Sequence, residues 1–208
     1  MKRLTGKVIL FLCLLGSACL LPQAIHAAAE GRSSLEQTFQ NAKQNYLDQN
    51  LEAAADQVKQ GAAYMKKQSE SASESGKAAL SASSKELEDL AGEVKKGAVK
   101  SVKKIEETFA RAYLALAKEA HTQSAKSWAE KQGQKAGEGL ERASGYLERS
   151  FAWAGRKVEE GTRQVIRKSQ DLSLKLKQKG RAVAEDVGKS LRDTESEIEK
   201  FGKKIAPK

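Results

Sequence analysis

The segment Ser127–Arg149, SWAEKQGQKAGEGLERASGYLER, decides the fold when it is set beside Asn45–Lys67, NYLDQNLEAAADQVKQGAAYMKK. A shift of 82 positions pairs Tyr46 with Trp128, Ala54 with Ala136, Val58 with Leu140, Tyr64 with Tyr146 and Met65 with Leu147. Each segment reads as an aromatic residue, a short polar turn and a second helix carrying Ala, Val or Leu on one face, which makes a helical corner. The same ungapped shift pairs Asp89, Leu90, Val94 and Lys95 with Asp171, Leu172, Leu176 and Lys177. This predicts an all-α bundle of two related helical hairpins with long, partly coiled-coil-like helices, arising from an internal repeat.

Working outward, no proline occurs between Pro22 and Pro207, and Ala, Glu, Lys, Gln and Leu dominate, so nothing interrupts helices and no strand pattern competes. Ser33-Ser34-Leu35-Glu36 has the form of a capping box and predicts a helix start. Asn50 is placed to cap a helix from Leu51 to about Lys67. The serine-rich stretch 68–77, QSESASESGK, predicts a loop. From Leu80 apolar or small residues recur through Leu87, Val94, Ile105, Phe109, Leu116 and Ala120 at close to the helical period of about 3.6 residues, predicting one long helix that Gly92 or Gly97 could bend.

Three regions follow: 1–29 as a cleaved signal peptide, 30–155 as the bundle with corners near 46–65 and 128–147, and 156–208 as one long, charged, amphipathic C-terminal helix. Met1–Lys7 is basic, Val8–Leu21 is apolar and Ala27–Ala29 supplies small residues, the layout of a leader cut after Ala27 or Ala29. Its apolar run falls short of the roughly 20 residues that span a bilayer. Gly16-Ser17-Ala18-Cys19 weakly resembles a lipoprotein signal, but the apolar run continues past Cys19 through Leu20 and Leu21. Export across the inner membrane to the periplasm is the expectation.

Both cysteines, Cys13 and Cys19, lie in the leader, and so does His26, leaving His121 as the one histidine of the mature chain. Cys/His zinc sites, disulfides and Cys-His catalysis are thereby excluded after cleavage. His121 is read as a surface or packed residue rather than a general base, with substitution nearly silent. The acidic runs around Glu86, Glu88 and Asp89 and around Glu195, Glu197 and Glu199 are read as solvated faces, since no calcium loop accompanies them. No G-x-S-x-G turn is present. No catalytic, cofactor or metal site is expected, and the chain reads as a non-enzyme.

The net charge is +10, and the three leader bases Lys2, Arg3 and Lys7 take it to +7 on cleavage. Alternating runs such as KKIEE read as solvated helix faces, and nucleic acid is not an expected partner. The stripe Val158, Val165, Leu172, Leu176, Val183, Val187, Leu191, Ile198 and Phe201 is narrow and suits a helical partner or self-association. A basic excess beyond Arg156 makes an anionic membrane or envelope surface the alternative. The candidate structural or interaction residues are Tyr46, Tyr64, Trp128, Tyr146, Val165, Leu172, Leu176, Val183 and Val187. Phe109, Tyr113 and Phe151 join the aromatics, which are read as core.

An aromatic residue, a polar turn and then A-A-x-x-[VL] resembles the helical corner of tetratricopeptide-like hairpins, and the whole is similar to small exported helical proteins of the YfdX type. The tetratricopeptide spacing of about 34 residues is not present, so this resemblance implies a hairpin and no superhelical groove. KQGQKAGEGLERA and EDVGKSL also resemble segments of late embryogenesis abundant proteins. Together these imply a structural or stress-related interaction protein of the cell envelope that works by binding.

Overall fold

The computed structural model describes the backbone of residues 23–179 and 184–207, and the side chains of 34–178 and 184–207. The leader's basic start, its apolar run and the seam residue Val183 fall outside the described residues. Among the described residues seven helices follow one another: α1 Gln23–Leu47, α2 Leu51–Glu70, α3 Glu74–Lys95, α4 Val102–Ala129, α5 Gly133–Trp153, α6 Glu160–Lys179 and α7 Ala184–Ile205. Within the same residues there is no strand. Successive helices are antiparallel, as the cross-helix bonds of Ser84 to Ala62, Arg111 to Glu86, Ser150 to Ala110 and Ser169 to Ser190 show. The described residues therefore form an up-and-down bundle of helical hairpins.

Helix α4 is the organising element and packs against α1, α3, α5 and α7. Its small residues Ala110, Ala112, Ala117 and Ala120 let neighbours approach on several sides, while Ile105, Phe109, Tyr113 and Leu116 fill the space between them. A helix buried around most of its circumference is what such a composition demands. The main core gathers side chains from α1 to α5 and takes in Ile166 from α6 and Ile198, Phe201 and Ile205 from α7. A smaller core of Leu140, Leu172, Leu176, Val187 and Leu191 lies where α5, α6 and α7 meet.

The two corners have the same backbone. Gln49 and Lys131 take the left-handed conformation at φ 62° and 58°. The Asn50 amide donates to the Asn45 carbonyl at 2.8 Å and the Gln132 amide to Ser127 at 2.8 Å, while Gln49 donates to Tyr46 at 3.1 Å and Lys131 to Trp128 at 2.9 Å. These bonds form the Schellman closure of a helix C-terminus, met here by non-glycine residues in both places. Burial follows the same 82-position shift: the pairs Val58 and Leu140, Leu90 and Leu172, and Val94 and Leu176 are all inside. Helix α7 stands in the same relation to α4, with Ile105, Phe109 and Leu116 answered by Val187, Leu191 and Ile198.

Four expectations are corrected. Helix α1 is already helical from Gln23, so Ser33-Ser34-Leu35-Glu36 is not its start. The preceding Ala-rich stretch is itself a good helix former, and Glu36 is engaged across the bundle by Tyr113 instead of capping. The expected loop at 68–77 shrinks to a turn at 71–73, because Ser73 caps α3 by accepting from the Gly76 amide at 3.1 Å. The single long helix from Leu80 is two antiparallel helices, reversed at 96–101, where Gly97 takes φ 64° and Ser101 caps α4. Periodicity continued across the break because α3 and α4 turn their stripes toward one core.

The fourth correction concerns the C-terminal region, which is two antiparallel helices, α6 and α7, rather than one long one. Its apolar seam is covered by the chain itself: Leu172, Leu176 and Val187 are buried with Leu140 and Leu191. The register also moves by one residue, since Ile166 is buried and Val165 only partly so. Between α6 and α7 the facing residues are largely hydroxyls, and Ser169 meets Ser190 at 3.0 Å and Thr194 at 2.8 Å.

Where α6 and α7 meet, Glu197 accepts from Thr162 and from Lys200, the latter at 2.8 Å. Burial acts to raise its pKa, but those hydrogen bonds and the Lys200 and Lys204 charges outweigh it, holding the carboxyl below the usual glutamate range. A depressed folded-state pKa contributes stability that is present above the unfolded value and lost as pH falls through the folded one. Glu197→Gln should therefore lower the melting temperature at neutral pH and differ progressively less from the parent as the solution is acidified below the ordinary glutamate pKa. A difference that stays constant across that range would contradict the assignment.

Candidate binding groove

A concavity of about 720 Å³ lies between the α2–α3 corner on one wall and α4 with α5 on the other. Leu80, Leu116 and Ala120 make its apolar floor. It runs along α4 from Leu116 to Ser127 and along α5 from Tyr146 to Lys135. The α3 wall is fixed to α4 by Glu119, whose carboxylate accepts from the Ser73 amide at 2.9 Å, the Ser73 hydroxyl at 2.6 Å and Gln123 at 2.7 Å. A carboxylate at a helix N-terminus is well placed, facing free amides and the positive end of the dipole.

With Glu119 held in this way, the remaining charges on the walls are Lys67, Lys135 and Arg142 against Glu138. Among the described residues, none of those three cations makes an ion pair or hydrogen bond, and Arg142 is set apart by this, since the other half-buried cations Lys43, Arg111, Arg149 and Lys177 each pair with a glutamate. Lys67 and Lys135 are exposed and Arg142 half-buried at the rim. The arrangement offers hydrogen-bond donors and positive charge above an apolar floor. It presents no paired acid and base.

The structure gathers some of the sequence candidates here and disperses others. Tyr64 and Tyr146, equivalent residues of the two corners, line the same groove. Tyr46 is half-buried elsewhere and donates to the Val99 carbonyl at 3.0 Å. Trp128 packs half-buried on the small core, while Leu172, Leu176 and Val187 belong to that core. Val165 lines a hollow of about 320 Å³ between α6 and α7. Lys67, Lys135, Arg142 and Glu119 were missed, because they reach the groove from three different helices and leave no local pattern.

Of the acidic runs, Glu86 is paired with Arg111 at 2.5 Å and Glu197 with Lys200. Among the described residues, no three His, Cys, Asp or Glu side chains converge as a metal-holding group. No described helix is long and apolar enough to cross a membrane.

His121 is buried, and its Nε2 lies 2.9 Å from the Leu191 carbonyl, so this nitrogen carries the proton and donates. The substitution is therefore not expected to be silent: His121→Ala removes a side-chain hydrogen bond to a carbonyl within α7 and opens space between α4 and α7. A loss of about 1–3 kcal/mol in chemical denaturation is expected, and an unchanged midpoint would contradict the contact. Comparison with protein-family models, with curated proteins and with solved structures finds no match to this chain.

Proposed function

We propose that the chain is an exported, non-enzymatic interaction protein of the cell envelope, and that it holds a protein partner in the groove between the α2–α3 corner and α4–α5. The observation that carries this reading is the half-buried Arg142, unpaired at the rim of an apolar floor with the exposed Lys67 and Lys135 beside it, on a chain whose other described half-buried cations, Lys43, Arg111, Arg149 and Lys177, each pair with a glutamate. Export rests on the leader-like layout of the first 29 residues, and mass spectrometry of the purified protein tests it: a retained Met1 would refute it. For the groove, a photocrosslinker at Ala72 on its wall should yield protein adducts in the envelope, where one at Arg163 on α6 should not. Adducts at both positions, or at neither, would remove the groove from the proposal.

The reading includes an internal duplication of a three-helix unit, supported by the shared corner geometry and by the burial pattern under the same shift. If the corners are equivalent, a chain carrying the second corner in both places should still melt cooperatively. A second function is favoured by one observation. The exposed side of α6 carries Arg163 and Arg167 beside an exposed Leu174, with Lys168 and Lys175 on the neighbouring hollow between α6 and α7, which suits peripheral contact with an anionic surface. Salt-sensitive co-sedimentation with anionic vesicles, abolished by Arg167→Glu, would favour that second reading over the groove.

A further inference from the structure

The groove's charges are spaced rather than convergent. Lys135 and Arg142 are two turns apart on α5, about 10 Å at about 1.5 Å per residue, and Lys67 stands on the opposite wall. A single phosphate or lipid headgroup is held best where donors converge on one point; cations strung along a channel match negative charges strung along a chain. We infer that the groove receives an extended acidic peptide segment of a partner protein, an inference that rests on the groove being the binding site.

Shape agrees with charge. From Leu116 to Ser127, α4 rises about 16 Å, which accommodates about five residues of extended peptide at about 3.3 Å each. Alternate side chains of such a segment point to opposite sides. One set faces the apolar side of the groove, at the half-buried Tyr64 and Ala72 above Leu116 and Ala120, and the other reaches the rim, where Arg142 offers a planar fork to a carboxylate. Glu119, saturated by Ser73 and Gln123, does not oppose an incoming acid. Among the described residues Glu138 is the wall carboxylate left to do so, and three cations outweigh it.

The test is fluorescence anisotropy of the purified protein with labelled peptides that alternate Leu with Glu, with Gln or with Lys. The Leu/Glu peptide should bind best, weaken at least about tenfold with Arg142→Glu and with Lys135→Glu, as expected for loss and reversal of a charge-assisted contact, and be unaffected by Arg167→Glu on α6. Circular dichroism of each variant confirms that folding is retained. Ala72→Trp, which narrows the groove from its wall, should block the peptide as well.

If the Leu/Gln peptide binds as tightly and Ala72→Trp still blocks it, the groove survives and the acidic class is overturned. If no peptide responds to Ala72→Trp, both the groove and the inference fall. Binding to phosphatidylglycerol vesicles that Arg142→Glu abolishes, with no peptide bound, would overturn the peptide in favour of a lipid surface.

Discussion

Gly139→Ala lowers stability by about 1–3 kcal/mol, the usual range for overpacking, although alanine is the better helix former by about 1 kcal/mol. The sign is decided by what the new methyl meets. A Cβ at Gly139 would lie 2.7 Å from Ser124 Cβ, 2.8 Å from its Cα and 2.9 Å from its amide nitrogen, atoms of the α4 backbone and stem that cannot swing aside. The approach is fixed by Ser124, whose hydroxyl donates to the Ala136 carbonyl at 2.6 Å. Gly137 is similarly placed on the other side of α5, where a Cβ would lie 2.8 Å from Leu176 Cβ and 2.9 Å from the Ser173 carbonyl. Gly145 on the same helix meets nothing closer than the Arg149 guanidinium at 3.8 Å. Gly145→Ala should therefore be stabilising by up to about 1 kcal/mol, from helix propensity alone. Thermal melts of the two variants check the pattern. If Gly139→Ala and Gly145→Ala shift the midpoint in the same direction, the close contact of α5 with α4 is wrong.

Trp153→Ala should cost about 3–5 kcal/mol, the range for a large aromatic removed from a core. Its ring meets Phe109 edge-on at 5.1 Å and Phe39 at 6.2 Å, and those two rings stack at 4.0 Å. Its indole Nε1 donates to Glu36 at 3.3 Å, the same oxygen that accepts from Tyr113 at 2.6 Å. Burial, then the hydrogen bond to Glu36 and its charge, push the Tyr113 hydroxyl far above the usual tyrosine range, so it remains a donor at any working pH. Removing the indole leaves a void among Phe39, Phe109 and Lys43, whose ammonium sits 5.9 Å from the ring centre. Trp128→Ala, at the half-buried corner, should cost clearly less. Chemical denaturation of both variants ranks them, and equal losses would place Trp128 in the core after all.

That ranking reverses the weight the sequence suggests, and the reason is physical. The corner motif announced its tryptophan because a turn follows it, whereas Trp153 closes α5 without any local signature. What periodicity carried well was which helix face is inside, as at Ala54, Val58, Leu140, Leu147, Leu172 and Leu176. What it could not carry was chain reversal. A stripe that runs from Leu87 through Ile105 to Ala120 is equally consistent with one helix or two, and the difference lay in Gly97 and Ser101, which act through backbone conformation and capping. The seam beyond Arg156 raised the same ambiguity in another form: a narrow stripe demands a cover, and only the folded chain shows that α5 covers α6 and α4 covers α7. Of the groove, Tyr64 and Tyr146 were singled out but read as core, and the cations that surround them were invisible until four helices met.

The hydroxyl-lined junction of α6 with α7 sets an order of opening. Under the shift that superposes the two corners, Thr162 and Ser169 of α6 stand where α3 has Leu80 and Leu87, all four of them buried. Ser173, Ser190 and Thr194 extend that hydroxyl face. Each hydroxyl in place of a methyl withholds apolar area from burial, and its hydrogen bond is largely exchanged for one to water when the helices part. The mutual junction of α6 and α7 thus buries less apolar area than its counterpart on α3, and these two helices are expected to open at a lower cost than α2, α3 and α4. In native-state hydrogen exchange, amides of α6 and α7 should report a shared opening free energy below the global value, as a separate cooperative unit. The main core, with its stacked Phe39 and Phe109, would then act as the kinetic anchor from which the last two helices open and re-dock.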